Sequence, residues 1–359
     1  MLKQLIATPS VSRDEARAAD VLEAYMTSKG LHPQRHGNNV WCFSPNFDNS
    51  KPAILLNAHI DTVKPVAGWQ HDPFTPTIEG DRLYGLGSND CGGGLVALME
   101  TFCRLTLSGG AAPLIFLASC EEEVSGKNGI ESVLPLLPPI DFAIVGEPTG
   151  MQPAIAEKGL MVIDAVAHGK AGHAARNEGD NAIYHAMQDI LWLKDWQFPK
   201  QTELLGPVKQ TVTIVGAGTQ HNVIPDQCTF TIDVRSNECY TNEEIFAFFQ
   251  QHLTSELKAR SFRLSPSHIP MEHPFVQACI KLGLKPFGSP TLSDQALMPF
   301  PSLKLGPGDS SRSHTADEYI KISEIDHAIS LYLRLLLPGK APGAGHPERV
   351  SSPFGNFAV

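Results

Sequence analysis

The chain has 359 residues, of which 42% are hydrophobic, and it carries a formal net charge of −10. This length allows two domains, each with a substantial core. An acidic chain without a run of Lys or Arg excludes nucleic acids and anionic membranes as partners, so we expect its ligands to be small molecules.

The opening residues 1–10 lack the charged start, apolar centre and cleavage site of a signal peptide. No apolar run reaches the ~18 residues that a membrane span requires. We therefore expect a cytoplasmic protein. The seven cysteines are scattered and form no C-x-x-C pair, which predicts reduced and mostly buried thiols.

The first part of the chain alternates predicted strands and helices. Apolar residues at helical spacing predict an amphipathic helix at 15–29, which Gly30 ends. Short and nearly continuous apolar runs predict strands of a sheet that is covered on both faces. This alternation indicates an α/β sheet. The predicted strands are 53–57, 114–119 and 142–145, with a helix at 92–107 that ends near Gly109 and Gly110.

The pattern changes after residue 157, where an alternating stretch at 228–234 predicts a half-buried antiparallel strand. We interpret this part as an inserted domain. Its other predicted elements are strands at 161–167 and 211–215 and helices at 181–193 and 242–257. The predicted organisation is a first domain at 1–158, an insert at 159–270, the rest of the first domain at 271–337 and a disordered tail at 338–359.

Side chains able to bind a metal follow the predicted strands, where the ligands of open α/β sheets collect. Each one alone has an ordinary explanation, such as a chance triplet, a helix cap or a surface loop. However, consecutive ionised carboxylates at a strand end repel each other unless a cation compensates, so the set together favours a metal site. The set comprises His59 and Asp61 in HID, Asp90 in GLGSNDCGGG, Glu121, Glu122 and Glu123 after Cys120, Glu147 in GEPTG and His314 in GPGDSSRSH.

In this order the motifs resemble the M20 family of metallopeptidases and deacylases, and most of all its branch of acetylornithine deacetylases and succinyl-diaminopimelate desuccinylases. The similarity extends over nearly all of residues 1–337. It implies an α/β fold of the zinc-exopeptidase type, with a mostly parallel or mixed sheet flanked by helices. It also implies an inserted α+β lid domain with an antiparallel sheet, and a cis peptide between Asp90 and Cys91.

The resemblance implies two divalent metal ions, zinc in the first place, with cobalt or manganese as alternatives. Glu122 would be the general base and take a proton from a water whose pKa the ions lower. Asp61 would orient the imidazole of His59 through its second ring nitrogen. A slip of one residue within 121–123 would exchange the base and a ligand. One ion would be bound by His59, Asp90 and Glu147 and the other by Asp90, Glu123 and His314, with Asp90 as the bridge.

The predicted lid also carries matching residues. His173 in GKAGH resembles the lid histidine that hydrogen-bonds the oxyanion in a neighbouring subunit's site, which implies a homodimer. Asn222 and Arg235 resemble lid residues that hold the substrate, and Arg235 would clamp an α-carboxylate. Arg312, near the predicted ligand His314, would favour a succinyl over an acetyl group. The structural alternatives are an ordinary surface position for His173, a salt bridge beside the sheet for Arg235 and simple solvent exposure for Arg312.

These features predict hydrolysis of an N-acylated amino acid, with N-acetylornithine or N-succinylornithine, in arginine biosynthesis, as the leading substrates. Desuccinylation of succinyl-diaminopimelate and cleavage of di- or tripeptides are the alternatives within the family. A non-catalytic metal-binding protein is the alternative from another class. A dinucleotide-dependent oxidoreductase is disfavoured because GLG at 85–87 lacks the third glycine and the acidic residue of that fingerprint.

Overall fold

The computed structural model describes residues 1–45, 47–48, 50–107, 113–176 and 178–337. The predicted tail at 338–359 and the predicted helix end at Gly109 and Gly110 lie outside these residues. Among the helices described, none combines the length and the apolar character needed to cross a bilayer. The α-helices are α1 (Leu2–Ile6), α2 (Ala16–Ser28), α3 (Gly93–Leu107), α4 (Ile130–Val133), α5 (Ala182–Asp195), α6 (Asn242–His252), α7 (Pro274–Lys281) and α8 (Ile322–Leu336).

The strands alternate with these helices in the first part of the chain and dominate its middle part. They are β1 (Gln34–His36), β2 (Asn39–Phe43), β3 (Ala53–His59), β4 (Thr77–Glu79), β5 (Arg82–Tyr84), β6 (Leu114–Ser119), β7 (Ile140–Val145), β8 (Ala154–Glu157), β9 (Met161–His168), β10 (Gly172–His173), β11 (Lys209–Ala217), β12 (Val223–Ile224), β13 (Gln227–Arg235), β14 (Glu256–Ala259), β15 (Ser267–His268), β16 (Phe287–Ser289), β17 (Ser302–Lys304) and β18 (Tyr319–Lys321).

The chain divides into two compact units. The second unit contains Ala156–His268 and Phe287–Leu292, and the first contains the described residues before and after these segments. Phe287–Leu292 lies in the part of the chain that the sequence analysis assigns to the rest of the first domain. This segment is held in the second unit because the carbonyl of Ser289 accepts the N–H of Lys158 at 3.3 Å. The domain boundaries themselves stay a prediction.

A mixed sheet forms the centre of the first unit, with the strand order β1-β2-β6-β3-β7-β17-β8. Its four central strands β6, β3, β7 and β17 run parallel to one another. Every residue of β6 is buried, as the continuous apolar run predicts. Helix α3 packs against β3 and α8. The α/β class with flanking helices is therefore confirmed, and the carboxyl ends of the four parallel strands meet at one edge.

The second unit contains a four-stranded antiparallel sheet in the order β11-β13-β9-β14, whose apolar side chains form a core with α5 and α6. The predicted helix at 242–257 is wrong at its C-terminal end, because α6 stops at His252. The backbone N–H groups of Thr254 and Ser255 are bound instead by the buried carboxylate of Asp189, at 3.1 and 2.8 Å. The chain then continues as β14, which pairs with β9.

Candidate metal centre

The carboxyl ends of the parallel strands bring the predicted metal-binding residues together in the first unit. His59 is the last residue of β3, and Glu121 to Glu123 follow β6, which lies beside it in the sheet. Glu147 follows β7 on the other side of β3, separated from the strand by Gly146. Since these strands are parallel, side chains that are far apart in sequence converge at one edge.

Asp90 reaches this edge on the turn that precedes α3, and glycines make the turn possible. Gly87 adopts a φ of 72°, a conformation that other residues rarely accept. A Cβ atom added to Gly94 would lie 1.7 Å from the carbonyl oxygen of Gly146, so only glycine allows the helix to approach the end of β7 this closely. The peptide bond between Asp90 and Cys91 is cis, as the resemblance implies.

His59 lies among three carboxylates. Its Nε2 atom is 3.1 Å from an oxygen of Asp90 and 3.6 Å from an oxygen of Glu147. An oxygen of Glu122 lies 3.9 Å from the same nitrogen. The imidazole is buried, with 2% of the residue exposed, whereas the side chains of the three carboxylates keep an exposure of 12–13%.

The second imidazole, His314, faces the other oxygen of Asp90. Its Nε2 atom is 2.9 Å from an oxygen of Glu123 and 3.7 Å from Oδ2 of Asp90, whereas Oδ1 of Asp90 faces His59. The carboxylate of Asp90 therefore lies between the two histidines. This is the placement that a bridging ligand between two ions requires.

Asp61 connects the end of β3 to the carboxylates that follow β6. Its carboxylate accepts the backbone N–H groups of Glu122 and Glu123 at 3.0 and 3.1 Å, and the hydroxyl of Ser12 at 2.7 Å. The Nδ1 atom of His59 lies closer to the main-chain oxygen of Asp61, at 2.9 Å, than to its carboxylate, at 3.5 Å. Asp61 thus holds the backbone of 122–123 as well as the imidazole.

The first of the three consecutive glutamates points elsewhere. The side chain of Glu121 accepts hydrogen bonds from the side-chain amide of Asn128 at 2.9 Å and from its backbone N–H at 3.4 Å. Its φ of 55° turns the chain so that Glu122 and Glu123 face the two imidazoles. This geometry favours the assignment without a one-residue slip.

Several ionisable groups of this cluster have shifted pKa values. Burial, followed by the charge of Asp90, raises the pKa of Glu147 to about 8. Burial also raises the pKa of Glu122 well above its usual value. The hydrogen bond with Glu123 raises the pKa of His314 to about 9. A metal ion that binds these groups must therefore displace protons at neutral pH.

The donor atoms fit divalent ions. The nearest donor atoms of His59, Asp90 and Glu123 all lie within 4.8 Å of one another, and imidazole and carboxylate are suitable ligands for zinc. One carboxylate oxygen of Glu147 is buried without a hydrogen-bond partner among the described residues. Because a buried and unpaired oxygen is costly, a cation at this point would stabilise it.

Cys91 lies close to this cluster, although its thiol has a structural partner. A sulfur atom within 4.8 Å of donor atoms of His59 and Glu147 could belong to a ligand set. However, the Cys91 thiol donates to the carbonyl of Gly146 at 3.1 Å, and burial raises its pKa well above the usual value. All seven cysteines are free thiols and six are buried, as predicted.

Two buried carboxylates near the centre were not predicted from the sequence. Glu318 accepts backbone N–H groups of the turn that carries Asp90, and burial raises its pKa to about 7. Asp294 accepts the hydroxyl of Ser119 at 2.6 Å, and burial raises its pKa to about 6. Neither residue lies in a motif with metal-ligand spacing. The sequence signal for Glu318 is weak: this acidic residue directly precedes the apolar start of β18.

The remaining predicted residues are engaged in local contacts. In the second unit, His173 is exposed on β10, Asn222 is exposed beside β12, and Arg235 binds both carboxylate oxygens of Asp233 at 2.8 and 3.1 Å. In the first unit, Arg312 donates to both oxygens of Glu324 at 2.8 and 3.0 Å. Their predicted contacts with a substrate stay predictions.

Comparison with known proteins identifies relatives over most of the chain. A family model described as Peptidase family M20/M25/M40 matches residues 55–337. An acetylornithine deacetylase from Edwardsiella ictaluri is 28% identical over 378 residues, which cover 94% of this chain and 96% of the relative. A putative succinyl-diaminopimelate desuccinylase from Mycobacterium tuberculosis is 30% identical over 352 residues, with coverage of 92% and 96%.

Solved structures share the fold at lower sequence identity. A tripeptidase from Staphylococcus aureus superimposes with a TM-score of 0.73 at 20% identity, covering 93% of this chain and 95% of the other. A dinuclear metal binding peptidase from Bacillus subtilis gives a TM-score of 0.69 at 18% identity, with the same coverage. Likeness at this level supports a common architecture.

Proposed function

The chain belongs to the peptidase family M20/M25/M40, and from this premise we propose that it uses two divalent metal ions to hydrolyse the amide bond of an N-acyl amino acid. As a member of this family it is a hydrolase that acts on amides. The observation that carries the proposal is the convergence of two imidazoles and the carboxylates of Asp90, Glu123 and Glu147 around a further carboxylate, Glu122.

The proposed ligands follow from the distances at the site. Bound ions would polarise the scissile carbonyl and lower the pKa of a water between them. Zinc is the ion that we propose, with cobalt or manganese as alternatives, because all three accept nitrogen and oxygen ligands. One ion would be held by His59, Asp90 and Glu147, and the other by Asp90, Glu123 and His314.

Glu122 is the proposed general base. It lies 3.9 Å from His59, and we assign it no metal, so its carboxylate can take a proton from the attacking water. It would then return this proton to the nitrogen of the leaving amine. Burial raises the pKa of Glu122 well above its usual value, which makes its carboxylate a stronger proton acceptor. The presence of Glu122 beside the proposed metal ligands also argues against the alternative of a non-catalytic metal-binding protein.

N-acetylornithine is the proposed substrate, and arginine biosynthesis in the cytoplasm is the proposed setting. The acetylornithine deacetylase relative matches nearly the full length of both chains. The guanidinium of Arg312 is bound by Glu324 and 16% of its side chain is exposed, so it gives no support to the predicted preference for a succinyl group. A succinyl carboxylate would have to displace Glu324 to reach it.

A panel of substrates assayed with the metal-loaded enzyme tests this proposal. The panel contains N-acetylornithine, N-succinylornithine, succinyl-diaminopimelate and a tripeptide. We expect N-acetylornithine to have the highest kcat/KM, by about tenfold or more, which corresponds to ~1.4 kcal/mol of differential transition-state binding. A higher value for succinyl-diaminopimelate would favour the second candidate, which the relative from Mycobacterium tuberculosis supports. No release of amine from any of the four would contradict the proposal.

We also propose that the enzyme is a homodimer that associates through the second unit. Helix α5 exposes Tyr184 (66%), Met187 and Leu191 (51%) on one face. The edge strand β11 exposes Ile214 (61%) and Val215, and among the described residues no strand pairs with its outer side in the order β11-β13-β9-β14. An open strand edge beside exposed apolar side chains is typical of a protein interface.

Replacing Leu191 by Glu is expected to weaken this dimer by about tenfold or more, because a charge would be buried in an apolar contact. Sedimentation velocity across a concentration series measures the change. The control is Gln250→Glu, an added charge at an exposed position of α6, which should leave association unchanged. A wild-type protein that stays monomeric at high concentration would contradict the proposed dimer.

A further inference from the structure

The carboxylate of Glu318 is enclosed by the turn that carries Asp90. Only 2% of Glu318 is exposed. It accepts the backbone N–H groups of Gly87 at 3.1 Å, Asn89 at 2.8 Å and Asp90 at 2.9 Å. When the carboxylate is ionised, such hydrogen bonds are stronger than those between neutral groups, so three of them fix the turn firmly.

One of these bonds involves the residue that we place between the two ions. Since the N–H of Asp90 is held by Glu318, the backbone of Asp90 cannot rotate without losing a buried, charge-assisted hydrogen bond. This hydrogen bond to Glu318 therefore fixes the direction in which the side chain of Asp90 points between His59 and His314. Glu318 also accepts the N–H of Gly85 through its main-chain oxygen at 3.0 Å, which anchors the start of the same turn.

A second contact connects this turn to the segment that carries His314. The side chain of Asn89 donates to the carbonyl of Asp309 at 3.1 Å and to the hydroxyl of Ser313 at 3.2 Å. Its oxygen accepts the N–H of Asp309 at 3.1 Å. By holding the N–H of Asn89, Glu318 also supports this link between the two loops.

We propose that Glu318 is a positioning residue that presets Asp90 between the two imidazoles and thereby raises the affinity for the pair of metal ions. This inference rests on the metal-dependent function proposed above. A purely structural role is the alternative, in which Glu318 stabilises the turn without affecting metal binding. The two roles differ in what the loss of the carboxylate does to metal affinity compared with folding stability.

The test is a titration of metal-free wild type and Glu318→Gln with zinc, in competition with a chromophoric chelator. In the variant an amide group would face N–H donors, so at least one acceptor is lost. We expect roughly 10- to 100-fold weaker binding, the range typical of residues that support metal ligands. We expect kcat at subsaturating zinc to fall, and excess zinc to restore part of it, which a purely structural role would not produce.

Asp317→Asn provides a matched control. Asp317 is the preceding residue, and its carboxylate likewise accepts two backbone N–H groups, those of Gln70 and His71, each at 3.0 Å. That loop carries none of the proposed ligands. We therefore expect the control to lower the melting temperature without changing the affinity for zinc.

The outcomes separate this inference from the proposed function. If wild type binds two zinc ions and Glu318→Gln binds them equally tightly, the positioning role is wrong while the proposed function stands. If wild type binds none of zinc, cobalt and manganese, both fail. If Glu318→Gln does not fold, the titration is repeated with Glu318→Asp, whose shorter carboxylate cannot reach all three N–H groups. Weaker zinc binding by that folded variant supports the inference, and unchanged binding overturns it.

Discussion

Replacing Glu122 by Gln is expected to lower kcat/KM by roughly 10²- to 10⁴-fold, the usual contribution of a general base, while two metal ions stay bound. The amide cannot take the proton of the attacking water, yet it keeps the size of the side chain. Since we assign no metal to Glu122, the ligand set is intact in this variant. Release of ornithine from N-acetylornithine and the metal content of the same preparation measure the two quantities.

Variants of the two neighbouring glutamates serve as controls for this experiment. Glu121→Gln should retain turnover within a few-fold, because Glu121 binds Asn128 and faces neither imidazole. Glu123→Gln should lose affinity for one ion, because Glu123 lies 2.9 Å from His314. If Glu122→Gln remains active and Glu123→Gln becomes inactive with both ions bound, the base and the ligand have been exchanged.

The sequence predicts the part of the site that depends on strand ends. The run at 114–119 is confirmed as β6 with the same bounds, and the helix predicted at 15–29 is confirmed as Ala16–Ser28. Because His59 lies at the end of one buried strand and Glu147 just beyond the end of another, their meeting at one edge could be inferred before any coordinates. Continuous apolar runs identify such strands reliably since both faces are covered.

The groups that hold the site in place could not be predicted in this way. Glu318 contacts Asn89 in the turn at 87–90 across 229 residues, and Asp294 contacts Ser119 across 175 residues. A carboxylate that accepts backbone N–H groups needs no particular motif, because any N–H can be its donor. For the same reason the sequence pattern does not predict where α6 ends. The carboxylate of Asp189, which binds the N–H of Thr254 there, comes from another helix.

Asp90→Asn is expected to have the largest effect on metal binding, because it is the one change that acts on both proposed ions. Each carboxylate oxygen of Asp90 faces a different imidazole, at 3.1 Å for His59 and 3.7 Å for His314. Asparagine offers one neutral oxygen and a donor group that repels a cation. We expect the affinity for both ions to fall by about 100-fold or more, beyond what a supporting residue contributes, and turnover to fall with it.

The bridging role of Asp90 is tested by comparing Asp90→Asn with two other variants. Glu147→Gln should lower the affinity for one ion only, and Glu123→Gln should lower the affinity for the other. Zinc at 100 times its dissociation constant stabilises a protein by about 2.7 kcal/mol per site. Wild type should therefore show a clear rise in melting temperature on adding zinc, each glutamine variant about half of it, and Asp90→Asn little or none. A full rise in Asp90→Asn would mean that the ions bind without this carboxylate, because at a fixed zinc concentration the stabilisation increases with the affinity of the folded state.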